Sequence, residues 1–528
     1  MLAMSSRRRW AVTIGVMTGM LLAALEATVV GTAMPTIVST LGGLAHYSWV
    51  FSAYLLTSTV TVPIWGKLSD LFGRRPVYQA GIAVFLVGSA ACGLSQTMMQ
   101  LVFARAFQGL GAGALVPLAM TIIGDMFTLE ERAKMQGLFS GVWGLSSIVG
   151  PLLGGFITDQ LSWRWVFYIN LPVGIAAAVI IGLALQEPPR DQRPVIDYLG
   201  ATLLTASVTL LMLVLVEGGE VAAIFTTRNL ILIAAAIALF VWFVRVEMRA
   251  KDPVIPLTLF RNRVVSVAIA VGFLAGIAMF GAITFVPLMA QGVLGATATQ
   301  AGTFLMPLML AWVASSIVGG RLLIKVGARP LVLVGLVLLM AGLGAMAMFN
   351  AETSHALLLT ELGVIGAGLG LTMLTLLIAS QHSVRREQLG ITTSLNQFSR
   401  SIGGALGVAL LGALMVSGLT ANLRTAALQP NAPLTATEAD KLAENPNALV
   451  EPSARARISP QVLTILQTSL ASALRTTFLI CAIVVAISFF LALMIPGGKI
   501  ESAGAATGEE FVMAEMTTID AEHEPCCD

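Results

Sequence analysis

The chain has 528 residues, 57% hydrophobic and only 11% charged, with a mean hydropathy of +0.87. Soluble domains carry about 25% charged residues, so an ordinary water-soluble enzyme is excluded and most of the chain must be solvated by lipid. Thirty Lys and Arg against 28 Asp and Glu leave a formal charge of +2, without the polybasic excess that would point to a nucleic-acid partner.

A bilayer core of about 30 Å takes roughly 20 apolar residues per helix. Apolar runs of that kind lie near 10–35, 48–66, 77–96, 98–124, 136–158, 165–185, 198–216, 229–246, 264–290, 300–324, 330–349, 355–380, 393–419 and 472–495. Arg7, Arg8 and Arg9 lead straight into the first, which is too long for a cleaved signal sequence. Fourteen crossings put both termini on one side. With the N-terminus inside, 21 of the 30 basic residues fall in inner segments, seven in outer ones, and Arg105 and Arg400 within spans. That bias satisfies the positive-inside rule and predicts two cytoplasmic termini in a multi-pass inner-membrane protein.

The loops repeat. GKLSDLFGRRP (Gly66–Pro76) aligns with GRLLIKVGARP (Gly320–Pro330) at an offset of 254. GLGAG (Gly109–Gly113) returns as GAGLG (Gly366–Gly370) at 257, and GPLLG (Gly150–Gly154) more weakly as GGALG (Gly403–Gly407) at 253. A near-constant offset predicts duplicated six-helix halves. These are residues 10–185 and 264–495, after a short N-terminus (1–9) and joined by a linker (186–263) carrying an extra helix pair.

This arrangement resembles the major facilitator superfamily, whose members carry such repeats, and more narrowly its 14-span drug:proton antiporters of the QacA/EmrB-like branch. GKLSDLFGRRP is similar to the family's loop signature, LVFARAFQGLGAG to its span 4 pattern, and SSIVGPLLGGF to the antiporter motif of span 5. LEATVVGTAMP and WRWVFYINLPVG resemble the span 1 and span 6 patterns of the branch. The likeness covers roughly 10–495. One departure is Glu26, where the branch usually has Asp. The resemblance implies an all-α fold of 14 membrane helices, in two pseudo-symmetric halves plus an inserted pair. It also implies proton-coupled export of lipophilic, often cationic compounds, with protons and a small molecule as partners and no cofactor.

Ionisable groups inside lipid cost at least about 2.5–3.5 kcal/mol at a helix centre and are functional candidates. Four stand out: Glu26, Arg105, Glu361 and Arg400. At 1.5 Å per residue, Glu26 lies about 24 Å from the inner start of its span, and Arg105 and Glu361 about 10 Å below the outer starts of theirs. A carboxylate at that depth can hold either a proton or a cationic substrate, which is the minimal chemistry of an antiporter. For Glu26 the alternative is a structural ion pair with Arg105, which would itself serve to tune the carboxylate. Glu361 sits nearly at the repeat-equivalent position of Arg105. Arg400, beside Asn396 and Gln397, is expected either to pair with helix ends at an inner gate or to snorkel toward the cytoplasm.

In the first loop, Gly66 and Gly73 permit a tight turn while Asp70 lies among Lys67, Arg74 and Arg75. By resemblance Asp70 latches the two halves on the inside; its repeat equivalent is Ile324. Gly144, Gly150, Pro151, Gly154 and Gly155 give span 5 a smooth, kinkable face. Glu217 and Glu220 read as solvated helix-end charges, and His46, His355 and His382 as interfacial residues. Cys92 and Cys481 read as small core residues, and His523 with Cys526 and Cys527 as weak evidence of a metal site, so none is assigned.

The outer segment 420–471 exceeds an ordinary connector. Thr435 and Glu438 form a capping-box pattern, and Ser459-Pro460 a helix start running into the last span. The segment is expected to act as a lid or as a docking surface for an outer-surface partner. The acidic tail at 496–528 reads as disordered. Walker A, HExxH and GxSxG patterns find no support, so an ATP-driven pump and a membrane enzyme rank below a secondary transporter. An exporter of an endogenous lipid or metabolite, and a non-transporting sensor, are the competing readings on the same fold.

Overall fold

A computed structural model describes residues 5–41, 47–187, 197–217, 226–250, 253–296, 303–349, 353–428, 434–435, 438 and 459–498. His46, Glu220, most of the outer segment and the tail with His523, Cys526 and Cys527 lie outside the described residues. Fifteen α-helices are present among those described. The first seven are α1 (Ser6–Leu41), α2 (Tyr47–Phe72), α3 (Arg74–Leu94), α4 (Met98–Met126), α5 (Leu129–Gln160), α6 (Trp165–Tyr168) and α7 (Asn170–Ala184). Next come α8 (Tyr198–Glu217) and α9 (Thr227–Glu247). The rest are α10 (Arg263–Gly292), α11 (Met306–Val326), α12 (Ala328–Met346), α13 (His355–His382), α14 (Leu389–Ala427) and α15 (Pro460–Ala492).

All fourteen apolar runs are helical, but eleven helical segments are long and apolar enough to cross a membrane, α6 and α7 counting as one. Among the described residues, the helices that meet that measure number three fewer than the fourteen expected. The described apolar stretch of α8, Tyr198–Val214, is short. The other two shortfalls share a cause. α2 is rich in Ser, Thr and Tyr, and α5 in Gly and Ser. These helices pack respectively against α14 and α11, from the far end of the sequence, and a helix walled by protein need not be apolar all round.

Packing repeats along the chain. α4 packs on α2 and α3, and α1 on α5 and α7; in the later helices α13 packs on α11 and α12, and α10 on α14 and α15. The glycines of the repeated motif explain the match. A Cβ on Gly109 would collide with the Tyr54 carbonyl, and one on Gly366 with that of Leu308. Gly113 and Gly370 repeat this against the carbonyls of Ser58 and Trp312. α8 and α9 pack on each other and join α2 and α14 through a cluster containing Val60, Leu204, Phe243, Ile391 and Ile402. Large apolar side chains such as Leu183, Ile231, Trp242 and Phe490 point outward, as a lipid-facing surface requires.

Span 6 is interrupted between α6 and α7. Pro172 has no N–H to donate back to Tyr168, so the hydrogen-bond ladder fails there and Asn170 begins a fresh helix. The helix beginning at Pro460 is present, with the Ser459 hydroxyl accepting from the Val462 N–H at 3.4 Å. Thr435 and Glu438 make the capping-box contacts, the Thr435 N–H donating to the Glu438 carboxylate at 2.9 Å and the Glu438 N–H to the Thr435 hydroxyl at 3.3 Å. Residues 420–427 and 460–471 belong to α14 and α15, so the connector is narrower than expected, 428–459. Its Leu434 is buried in the core of the later helices.

Candidate functional site

Two polar constellations stand out. The first is buried among α1, α2, α3, α4 and α7. Glu26 and Arg105, each 2% exposed, form an ion pair. Asn170 donates to the second Glu26 oxygen at 2.6 Å and to Ser89 Oγ at 2.9 Å. Arg105 also donates to Gln108 Oε1 at 2.7 Å and to the Val50 carbonyl at 3.2 Å, and its guanidinium lies 4.1 Å from the centroid of the Tyr54 ring. Gln108 reaches Ser89 at 3.3 Å, and Ser89 donates to the Phe167 carbonyl at 2.9 Å, just before the break in span 6. Each Glu26 oxygen accepts from a partner of its own, one from Arg105 and the other from Asn170. Taking such a pair out of water costs several kcal/mol per ion, repaid only where further hydrogen bonds satisfy both partners. This network supplies them.

Glu361 does not join it. It lies on α13, 8% exposed, with its Oε2 unpartnered. The matched glycines at offset 257 align Arg105 with Leu362 rather than Glu361, one residue around the helix. His355 opens α13 with its ring 5.6 Å from that of Phe304, and His382 closes it. Cys92 and Cys481 are buried free thiols. Glu217 ends α8.

The second constellation is the loop after α2. Gly73 adopts φ +103°, a region open to glycine at no steric cost. The turn brings Arg74 back to Asp70; Arg74 also donates to Asp125 at 2.9 Å and to Ser69 at 2.9 Å. The Asp70 carboxylate accepts the N–H of Gly390 at 3.0 Å and of Ile391 at 2.7 Å. Those are first-turn amides of α14, whose own preceding residue, Gln388, makes no side-chain cap. Asp70 is therefore the N-cap of a helix some 320 residues away, favoured by both hydrogen bonding and the helix dipole. Gly66 makes the approach feasible, since a Cβ there would collide with Ser394 and the Gly390 carbonyl. Glu187 does the same for α3, accepting from the N–H of Arg74 at 2.7 Å and of Arg75 at 3.2 Å.

In span 5, Gly150 packs against Thr28 of α1, while Gly155 and Gly144 would leave an added Cβ in open space. Gly154 is buried. Pro151 falls within α5, and its side chain is outside the described residues. Arg400 donates to Gln397 and lines a narrow cavity with Met120 of α4, rather than touching a helix end.

Asn170, Gln108 and Ser89 of the first network, and Asp125 and Glu187 of the second, were not singled out by sequence. Uncharged polar residues leave little trace in hydropathy, and acids at span ends look like ordinary surface charge. The distant partner of Asp70 is the backbone of Gly390 and Ile391, whose sequence trace is the lack of a capping residue before α14.

A lipid-exposed bundle with repeated packing, a buried ion network and a carboxylate tying early helices to late ones defines a multi-pass membrane carrier. The family model of the Major Facilitator Superfamily matches residues 16–408, and the chain belongs to that family. It is 39% identical to the Multidrug transporter protein MdtP of Bacillus subtilis (strain 168), over 98% of each chain. It is 33% identical to Multidrug resistance protein 3 of the same organism, over 94% of this chain and 97% of that one. Among solved structures, the human organic anion transporter MFSD10 (TETRAN) shares the fold. Its TM-score is 0.60 at 16% identity, covering 92% of this chain and 99% of that one.

Proposed function

We propose that the protein is a proton-coupled secondary transporter, not an enzyme, that exports lipophilic, often cationic drugs or toxic compounds from the cell. The observation that carries this reading is likeness along almost the full length to proteins named for multidrug transport. In this reading the chain crosses the cell membrane fourteen times with both termini cytoplasmic. Residues 10–185 and 264–495 form the rocking halves and 186–263 the inserted pair, a division the repeated packing supports. Glu26 is the coupling carboxylate. A proton arriving on it removes the charge that holds Arg105, and loss of the proton restores a site for a cation or for Arg105 itself.

Asp70, with Gly66, Gly73, Arg74 and Arg75 shaping its loop, closes the cytoplasmic side by capping α14, and separation of the halves breaks that cap. Gly150, Pro151, Gly154 and Gly155 give α5 the smooth face along which it slides. Glu361 is kept as a secondary proton site, because its unpartnered oxygen is available to one. The outer connector is a lid or a partner surface, a role the buried Leu434 supports by anchoring it. In proteoliposomes bearing a pH gradient, the wild type is expected to move ethidium against its gradient, collapsing with a protonophore. Glu26→Gln should abolish gradient-driven movement in a folded protein, and Glu26→Asp should keep part of it. Full gradient-driven transport by Glu26→Gln would refute the coupling role.

A further inference from the structure

Arg400, half-buried, has a different situation from the buried cations. Arg105 is paired with Glu26, and Arg74 with Asp70 and Asp125. Among the described residues no carboxylate lies within ion-pair distance of Arg400, whose hydrogen bond goes to the neutral Gln397. It sits 11 residues into α14, about 16 Å from the helix start. Glu361 is the acid on the neighbouring α13, but it lies 15 residues from Leu376, roughly 23 Å along the helix.

Thr393, Asn396, Gln397 and Arg400 recur at i, i+3, i+4 and i+7, so they share one face of α14. That face lines a cavity closed by Met373 and Leu376 of α13, by Gly272 of α10, and by Met120 of α4 from the other half. Gly272 has open space where a side chain would stand, and the Gly276 position lets the Arg400 backbone lie directly on α10. Two hydroxyl and amide groups are already occupied. Gln381 donates to Thr393 at 2.9 Å and Asn396 donates to Ser380 at 3.0 Å. Gln397 uses its carbonyl oxygen to orient the guanidinium, which leaves its own amide N–H groups and the remaining guanidinium donors without a protein acceptor among the described residues. A cation kept inside a membrane protein without a counter-ion is costly, and a planar guanidinium fork suits carboxylate-type anions in two-point contact.

We propose that Arg400 and Gln397 form a receptor for the anionic group of a transported amphiphile, a carboxylate or sulfonate on a lipophilic body. The Met and Leu side chains around them take the apolar part, adapting to its shape. This deepens the export reading and rests on its two rocking halves, with the substrate passing between them. In the present conformation the cavity, about 20 Å³, has room for little more than a water, so the receptor works when the halves part. A cationic substrate is held away from Arg400 by like charge and keeps its charge on the Glu26 side.

The test is a matched probe series on the purified full-length protein in nanodiscs: pyrenebutyrate, its methyl ester, and the pyrenebutyl trimethylammonium cation. These share a pyrene ring and an alkyl tether and differ in their head group, anionic, neutral or cationic. The wild type should bind the acid about tenfold or more tighter than the ester, the difference expected of one charge-assisted contact, and the cation no tighter than the ester. Arg400→Gln should erase the acid's advantage while leaving ester affinity within about twofold; Arg400→Lys should retain part of it, since the charge stays and the fork is lost. A wild type that binds acid and ester equally would overturn the proposal, and so would an Arg400→Gln protein that weakens all three probes alike. The wild-type series decides even if the variant fails to fold. Failure of proton-driven ethidium export with the acid preference intact would count against the export reading and leave the anion receptor standing.

Discussion

The early and late helices are built on one frame and carry different chemistry. Gly73 and Gly327 both turn the chain at positive φ, +103° and +82°, and each is the N-cap residue of the helix that follows. The glycines of α4 and α13 seat the same neighbours at the same spacing. Yet Asp70 is matched by Ile324, Arg74 by Ala328 and Arg105 by Leu362. The helix ends differ in a complementary way. α5 caps itself, Thr128 and Glu131 forming a capping box, with Arg9 paired to Glu131 at 2.6 Å. α14 has no cap of its own and takes Asp70 instead. The frame recurs, while among the described residues the ion pairs lie in the early helices and Arg400, in a late one, has no carboxylate within reach.

The largest expected effect breaks the first half's ion network. Arg105→Met strands the Glu26 carboxylate and should cost about 3–5 kcal/mol, whereas adding Glu26→Gln should recover much of that loss, because a neutral pair needs no counter-charge. Chemical or thermal denaturation of the single and double variants measures it. Equal stability of the two would mean that the pair is not a unit.

Next comes the latch. Asp70→Asn keeps one acceptor and loses the charge, so transport should fall about tenfold, matching roughly 1–2 kcal/mol of lost capping and dipole energy. Ligand affinity, read by fluorescence, should stay within a few-fold. The comparison sharpens with Ile324→Asp, which should not rescue Asp70→Asn, since the α5 terminus is already capped. Rescue would show the two loops to be interchangeable.

The smallest effect belongs to Thr128→Ala. It should cost about 0.5–2 kcal/mol of stability and leave the inward-to-outward balance, followed by spin-label distances across the halves, unchanged. A shift of that balance as large as that of Asp70→Asn would make the α5 cap a second latch.

Much of this was legible in the sequence, for physical reasons. Lipid forces long apolar helices, so all fourteen runs were visible, and charges inside them pointed to Glu26 and Arg105. Helix ends were less visible. α5 begins at Leu129 rather than 136 because its capping box carries the helix into polar sequence that hydropathy ignores. α14 runs on to Ala427 past the expected 419, through the polar stretch TANLRTAA that hydropathy likewise ignores. The break in span 6 was encoded by Pro172, and the Ser459-Pro460 start was readable because its chemistry is local. What was hidden is long-range. Nothing in the composition of 389–391 announces that its amides receive Asp70, and Asn170 is one neutral residue in an apolar run.

If substrate and proton compete for Glu26, binding of one must displace the other, and proton release on binding is the readout. Purified protein in weakly buffered solution with a pH-sensitive dye is mixed with a saturating cationic substrate. The wild type should release protons on binding, and Glu26→Gln should bind with that release abolished. Equal proton release from the two proteins would place the coupling group elsewhere than Glu26.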